Sequence, residues 1–295
     1  MIPAQFEYLA PKTVPEAVAL LRQHADAKVL SGGQSLIPVM KFRLAMPPLI
    51  IDINGIPDLN YIREQDGWLR IGALVRESDI DESTLVRDQY PLLHDTSRVV
   101  ADPLVRNLAT LAGNLAHADP ANDHPATMLA YRALVAATGP QGTRTIKIDD
   151  FFVGLFETAL THEEIVTEVR VPVPTPRSGG AYLKLERKVG DFATVGVAVQ
   201  LNLDAGSRVQ QIGIGLTNVG VTAIRARRSE DLLRGKAIDE RLIAQAGQLA
   251  AEDCAPSADL RGSEEYKRNM VRVLTMRALN RALDRTKAQE KERHQ

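Results

Sequence analysis

The chain has 295 residues, 44% of them hydrophobic and 25% charged, with a formal net charge of −1. That is the composition of an ordinary globular protein with room for two domains. It lacks the basic excess of a nucleic-acid-binding protein and any apolar run near the roughly 20 residues of a membrane span. The N-terminus, Met1-Ile-Pro-Ala-Gln-Phe-Glu-Tyr8, shows no basic region followed by an apolar stretch, so no secretory signal and a cytoplasmic location are expected. Cys254 is the one cysteine, which excludes an intrachain disulfide and a four-cysteine iron–sulfur or zinc site. Its setting, towards the end of a helical stretch, reads as a buried structural thiol. Redox chemistry in such a chain needs an organic cofactor.

Phe6–Leu9, Thr13–Arg22 and Ala27–Leu30 read as β-α-β. Thr13 followed by Glu16, with Pro15 early in the helix, is a capping-box start. From Val29 and Leu30 the chain passes through Ser31-Gly32-Gly33-Gln34-Ser35 into the apolar Leu36–Met40. Paired glycines reach positive φ and remove the Cβ atoms that hold a ligand away. The N–H groups of such a turn form an anion-binding nest, and Ser31, Gln34 and Ser35 add side-chain donors. A plain Gly-Gly turn between two core segments accounts for the same residues. The pattern is neither the G-x-G-x-x-G nor the Walker fingerprint.

Asp66-Gly67, between β-prone runs, marks a hairpin over Asn60–Ala73. A second loop follows at Thr110-Leu-Ala-Gly-Asn114, within a polar stretch running to Asp123. Asp123 is expected to cap a helix with Pro125 in its first turn. Free N–H groups at helix starts favour anions, so Thr110 and Asn114 are candidate phosphate donors and Asp123 a candidate acceptor for ribose hydroxyls. A capped polar loop without a ligand is the alternative. His117, Asp119, Asp123 and His124 lie close together but match no compact metal motif.

Leu134–Thr138 and Gly142–Ile148 read as a strand pair, and Glu164–Pro174 as an alternating strand. Thr175–Gly180 is linker-like and marks a domain boundary. Three strands then precede helices at about 226–235, 239–253 and 263–285, the order of an α+β unit. Within Lys184–Gly196, three cations flank Asp191-Phe192. This is either a solvated strand edge or a place where Phe192 meets an aromatic ring system with Lys184 near its electron-rich edge. The tail, 287–295, is charged and expected to fray.

Together these stretches resemble the flavin-binding medium subunits of the molybdenum hydroxylase (xanthine oxidase) family. That family's first loop, A/S-G-G-Q/H-S-L-hydrophobic-P, is matched by Ser31–Pro38, and its second, T-hydrophobic-G/A-G-N, by Thr110–Asn114. Its A-x-P-x-x-D is matched by Ala118–Asp123. Its K-x-x-R-x-x-x-D-aromatic-A is matched, with slightly different spacing, by Lys184–Ala193. The collinear likeness runs from about residue 3 to 285. Asp119–Met128, Leu185–Thr194 and Ile214–Val219 are most similar to the branch of aerobic molybdenum–copper carbon monoxide dehydrogenases. Phe192 stands where that branch has Tyr, and Ala112 where glycine is more usual.

The resemblance implies an α+β fold. Residues 1–176 would form a two-subdomain FAD-binding domain of the PCMH (vanillyl-alcohol-oxidase-like) type, with subdomains at about 1–56 and 57–176. A smaller α+β domain over 177–286 would follow, with a three-stranded antiparallel sheet and a helical bundle. The resemblance further implies that Val29, Leu30, Ser31, Gly32, Gly33, Gln34, Ser35, Leu36, Thr110, Ala112, Gly113 and Asn114 hold the FAD diphosphate. Asp123 would meet ribose hydroxyls, Asp191 and Phe192 would border the flavin ring, and Lys184 would lie nearby. No catalytic acid, base or metal ligand is expected in this chain. The implied partners are a large subunit with the molybdenum cofactor and a small one with [2Fe–2S] clusters, in a dimer of heterotrimers, with a quinone or other electron acceptor. No transmembrane segment is expected, and contact with the inner face of the cell membrane would be made through partners. Carbon monoxide oxidation is the expected activity of the complex. A hydroxylase of aldehydes or N-heterocycles and a flavin-free assembly scaffold are the alternatives.

Overall fold

The computed structural model describes residues 1–293, with side chains as far as Ala288. The N-terminal layer contains β1 (Glu7–Leu9), α1 (Val14–Gln23), β2 (Lys28–Leu30), α2 (Leu36–Lys41) and β3 (Leu49–Asp52). Its strands are parallel in the order β1-β3-β2. Thr13 caps α1 by accepting the Glu16 N–H, while the Glu16 carboxylate reaches past the cap to the Lys12 N–H at 2.8 Å. Ala17, Val18 and Leu21 of α1 pack against Leu49 and Ile51.

The middle of the chain folds as β4 (Ile62–Gln65), β5 (Trp68–Gly72), α3 (Glu77–Glu82), α4 (Thr84–Gln89), α5 (Pro91–Val99), α6 (Pro103–Arg106), α7 (Leu111–His117) and α8 (Asp123–Tyr131). These are followed by β6 (Leu134–Gly139), β7 (Gly142–Lys147), β8 (Phe152–Gly154), β9 (Glu157–Thr158) and β10 (Ile165–Pro172). An antiparallel sheet runs β4-β5-β10-β6-β7. Asp66 and Gly67 both take positive φ, 53° and 79°, as a two-residue hairpin of the primed type requires. The β8–β9 hairpin was not expected, because runs of three and two residues are too short to show alternation.

The C-terminal part comprises β11 (Ser178–Leu185), β12 (Val195–Leu203), β13 (Val209–Thr217), β14 (Ile224–Arg225), α9 (Arg227–Leu233), α10 (Glu240–Asp253) and α11 (Glu264–Arg293). Its antiparallel sheet has four strands rather than the three expected, because the two-residue β14 pairs with β13 at Gly215 and Leu216. The last helix continues through Arg293 instead of ending near 285, so the tail expected to fray is helical as far as it is described. His294 and Gln295 lie outside the described residues. Cys254 is buried, its thiol donating to the Ala251 carbonyl, and burial pushes its pKa up.

The middle and C-terminal parts share α8, all nine residues of which are buried. A helix buried on every side needs cover on every side, with partners for its polar Asp123, His124 and Thr127, and the C-terminal sheet supplies one of the covers. Gly213 and Gly215 face the helix backbone so closely that a Cβ on either would lie 2.0 Å from the Ala130 or Ala126 carbonyl oxygen. A second tie joins α5 to α11. Arg285 forks onto both oxygens of Asp95 at 2.6 and 2.9 Å and also reaches the Gly180 carbonyl. Arg285→Met keeps the aliphatic stem but removes the fork. It is expected to cost about 2–3 kcal/mol, read as a lower urea midpoint at unchanged slope.

Candidate functional site

The first loop leaves β2 and enters α2. Val29 and Leu30 end the strand, half-buried, and Leu36 begins the helix. Gly33 sits at φ +72°, the left-handed region that glycine enters without strain. Among the described residues, no protein acceptor takes the N–H of Gly32, Gly33, Gln34 or Ser35. Those donors, on partly exposed residues, form an open nest of the kind that binds oxyanions. The Gln34 amide folds back onto the Gly32 carbonyl at 3.2 Å and braces the turn.

The second stretch is the start of a helix rather than a loop. Thr110 is the N-cap of α7, its hydroxyl accepting the Gly113 N–H at 3.0 Å. The N–H groups of Leu111 and Ala112, in the first turn, have no intrahelical partner. The two stretches are pressed together. A Cβ on Gly32 would lie 2.3 Å from the Leu108 carbonyl oxygen, and the Ser31 and Thr110 hydroxyls are 3.1 Å apart. Arg76 closes the arrangement by donating to Leu108 O at 2.7 Å and Asn54 Oδ1 at 2.6 Å, while Asn54 donates to Ser31 O at 2.8 Å. Asn114 follows, its carbonyl held by the Asn122 amide at 2.9 Å, but its own Oδ1 is buried without a partner. Buried polar atoms are rarely left so. Unpaired N–H groups, a helix start and an unpaired amide suit a dinucleotide diphosphate with its neighbouring hydroxyls.

Asp123 is not the cap of α8. Asn122 holds that position, and Asp123 is the first helical residue, turned inward. Its carboxylate accepts from the Tyr182 hydroxyl at 2.6 Å and from the Lys184 ammonium at 3.1 Å. Burial raises the Asp123 pKa, and the Lys184 charge and Tyr182 hydroxyl pull against it. Burial and the adjacent carboxylate push the Tyr182 hydroxyl well above its ordinary value. Lys184, its side chain 2% exposed, also donates to the carbonyls of Val99 at 2.7 Å and Asp191 at 2.9 Å. These contacts engage all three N–H groups of an ammonium.

The Asp191 side chain is held in turn by Arg187 at 3.2 Å and Arg261 at 3.0 Å. Gly190 lies against Ala101, where a Cβ would be 2.5 Å from the carbonyl oxygen. The loop so anchored presents Phe192 at 47% exposure. Ser31–Thr110, Asn122–Asn114 and Lys184–Asp123 contacts thus link the three stretches that the sequence singled out. Arg76, Asn54 and Tyr182 were not singled out, and neither was the fully buried Glu77–His124 pair at 2.8 Å. No local pattern marks them, because their partners lie 22 to 59 residues away.

Residues 4–174 match the family described as FAD binding domain in molybdopterin dehydrogenase, and residues 180–282 the CO dehydrogenase flavoprotein C-terminal domain. The carbon monoxide dehydrogenase medium chain of Hydrogenophaga pseudoflava is 46% identical, over 96% of this chain and 98% of its own. The medium chain from Afipia carboxidovorans is 41% identical, over 97% and 100%. A solved structure of the Hydrogenophaga pseudoflava enzyme, lacking the Mo-pyranopterin moiety of its cofactor, superposes with a TM-score of 0.94 at 47% identity, covering 97% of this chain and 99% of that one. The fold is that of an FAD-binding oxidoreductase subunit with PCMH architecture. The chain belongs to the molybdenum hydroxylase family, as a flavoprotein medium subunit of the carbon monoxide dehydrogenase type.

Gly33→Val adds a branched side chain at positive φ, within 2.7 Å of Ile37 Cδ1. It is expected to abolish FAD retention while far-UV circular dichroism stays unchanged. Asn114→Ala is expected to weaken FAD binding by about 1–3 kcal/mol, measured by flavin titration; wild-type affinity would leave Asn114 a structural role in α7 only. Lys184→Met strands the Asp123 carboxylate and is expected to cost about 3–5 kcal/mol in urea unfolding. Adding Asp123→Asn should recover part of that loss.

Proposed function

We propose that this chain is the flavin subunit of an aerobic carbon monoxide dehydrogenase, whose overall reaction is CO + H2O → CO2 + 2H+ + 2e−. In this reading the substrate is oxidised at a molybdenum cofactor in a large subunit. Electrons reach the chain through [2Fe–2S] clusters of a small subunit and leave to a quinone or other acceptor. The assembly would be a dimer of heterotrimers. The observation that carries the reading is the collinear likeness to carbon monoxide dehydrogenase medium chains over nearly the whole length, both loops included.

When bound, FAD supplies a redox centre that exchanges electrons singly or in pairs, and the protein's part is to bind, orient and tune it. The N–H groups of Gly32 to Ser35 and those of Leu111 and Ala112 in the first turn of α7 would hold the diphosphate oxygens, while the Gly113 N–H stays on the Thr110 hydroxyl. Gly33 and Gly113 would let the backbone approach, and Ser31 and Thr110 would fix the spacing between the loops. Asn114 would satisfy its buried amide on a ligand hydroxyl. Phe192 would shield the ring from water, and with no phenolic hydroxyl it offers the ring only apolar contact. Asp123 and Lys184, expected at the ribose and near the ring, contribute in this reading through the buried clasp that seats Asp191 and Phe192. None of these residues needs to act as an acid, base or nucleophile. Among the described residues no helix is long and apolar enough to cross a membrane. A cytoplasmic complex, touching the inner membrane face through its partners, fits that feature.

The test is to purify the chain within its complex, record the visible spectrum, and assay with CO and a dye acceptor. Stoichiometric flavin and CO-dependent dye reduction are expected. Absence of flavin bands even after incubation with FAD would leave only a scaffold. Turnover of an aldehyde or N-heterocycle without CO activity would move the complex to another branch.

A further inference from the structure

Glu77 and His124 belong to neither the nest nor the clasp, yet both side chains are fully buried, with Oε2 and Nε2 2.8 Å apart. A carboxylate shut away from water is costly unless something compensates it. Glu77 is the first residue of α3, and its N–H donates to the Ala109 carbonyl at 2.9 Å. Its neighbour Arg76 forms an antiparallel bridge with Thr110, the N-cap of α7. The carboxylate therefore springs from backbone laid against the helix start that offers the Leu111 and Ala112 N–H groups to an oxyanion.

His124 comes from the other side. It is the second residue of α8, next to Asp123 of the clasp and close behind Asn122, whose amide holds the Asn114 carbonyl of α7. Among the described residues His124 is the one partner of the Glu77 carboxylate, while Glu77 Oε1 and His124 Nδ1 have none. With its hydrogen on Nε2, the imidazole donates to Glu77 and leaves only a lone pair at Nδ1. The other tautomer would bury an N–H without an acceptor.

A diphosphate brings negative charge to this helix start, and like charges repel most strongly where water is excluded. A bare carboxylate on the adjoining backbone would oppose the cofactor. An imidazole that donates to it, or shares a proton with it, draws that charge away. We propose, resting on the FAD reading above, that His124 is a positioning residue for the cofactor's diphosphate: it holds and masks the Glu77 carboxylate, so that the site keeps its attraction for an anion. The two partners are then unequal. Losing His124 leaves an unmasked charge beside the site. Losing Glu77 breaks the same contact and leaves no charge.

The test purifies the chain within its complex, strips the flavin, and titrates with FAD, using ADP and adenosine as competitors. His124→Leu is expected to weaken FAD and ADP alike, by about tenfold, and uncharged adenosine by less than about twofold. Glu77→Met is expected to bind FAD as tightly as the wild type or more tightly, although it breaks the same contact. The double variant is expected to recover most of the loss. Equal losses in the two single variants would reduce the pair to a tie between α3 and α8 and overturn the proposal. An equal loss for adenosine would overturn it too, as would a double variant no better than His124→Leu. If His124→Leu does not accumulate, His124→Gln serves, with a smaller loss in the same order of ligands, because its amide donates without taking up a proton. A wild-type complex that takes neither FAD nor ADP would fail the cofactor reading. A wild type that takes both, with unchanged affinities in every variant, would fail this proposal alone.

Discussion

One buried ammonium holds the arrangement of the site. Lys184 rises from β11, and its three hydrogens go to the end of α5, the start of α8 and the loop before Phe192. An unpaired buried charge is costly, and a half-made set of partners leaves most of that cost in place. The four segments therefore reach their positions together or not at all. The site is in that sense a property of the whole chain, although its phosphate-type loops are short and local. Asp123 is the counterpart. Without Lys184 and Tyr182 its carboxylate would be an acid forced into an apolar helix start.

The distance between the two loops is set differently, by contact of backbone with backbone. Gly32 faces the Leu108 carbonyl with no room for a side chain, and Arg76 fixes the same carbonyl from another direction. The spacing is thus determined by hard backbone contact together with short hydrogen bonds from Arg76, Asn54 and the Ser31–Thr110 hydroxyl pair. A rigid cradle suits a cofactor that is retained through many turnovers, since binding loses little to reorganisation. The aromatic loop follows the same logic, with ion pairs on both sides of Asp191 holding a phenylalanine that packs little with its own chain.

Local chemistry was readable wherever the physical cause lies within a few residues. Asp66-Gly67 announced its hairpin because both positions need positive φ, and Thr13 announced α1 because its hydroxyl caps three residues on. The two glycine-bearing stretches were recognisable from composition and order. What the sequence could not convey is direction. Asp123 has the residue type and place of a cap, and its partners Tyr182 and Lys184, 59 and 61 residues on, turn it inward. The short strands β8, β9 and β14 were invisible because three or two residues carry no period. The seven-residue α7 was read as a loop because its small residues, Ala112 and Gly113, suit both readings.

Helix α8 has a bearing on how such proteins diversify. It precedes the short linker between β10 and β11 by more than 40 residues, yet the glycines of β13 are cut to fit its backbone. That linker is shorter than the Thr175–Gly180 expected, because Ser178–Gly180 are buried in β11. A chimera joined at that linker would place one relative's helix against another's sheet, where a single added methyl group collides with a carbonyl. Recombination that respects the linker alone therefore breaks a contact that the sequence order conceals.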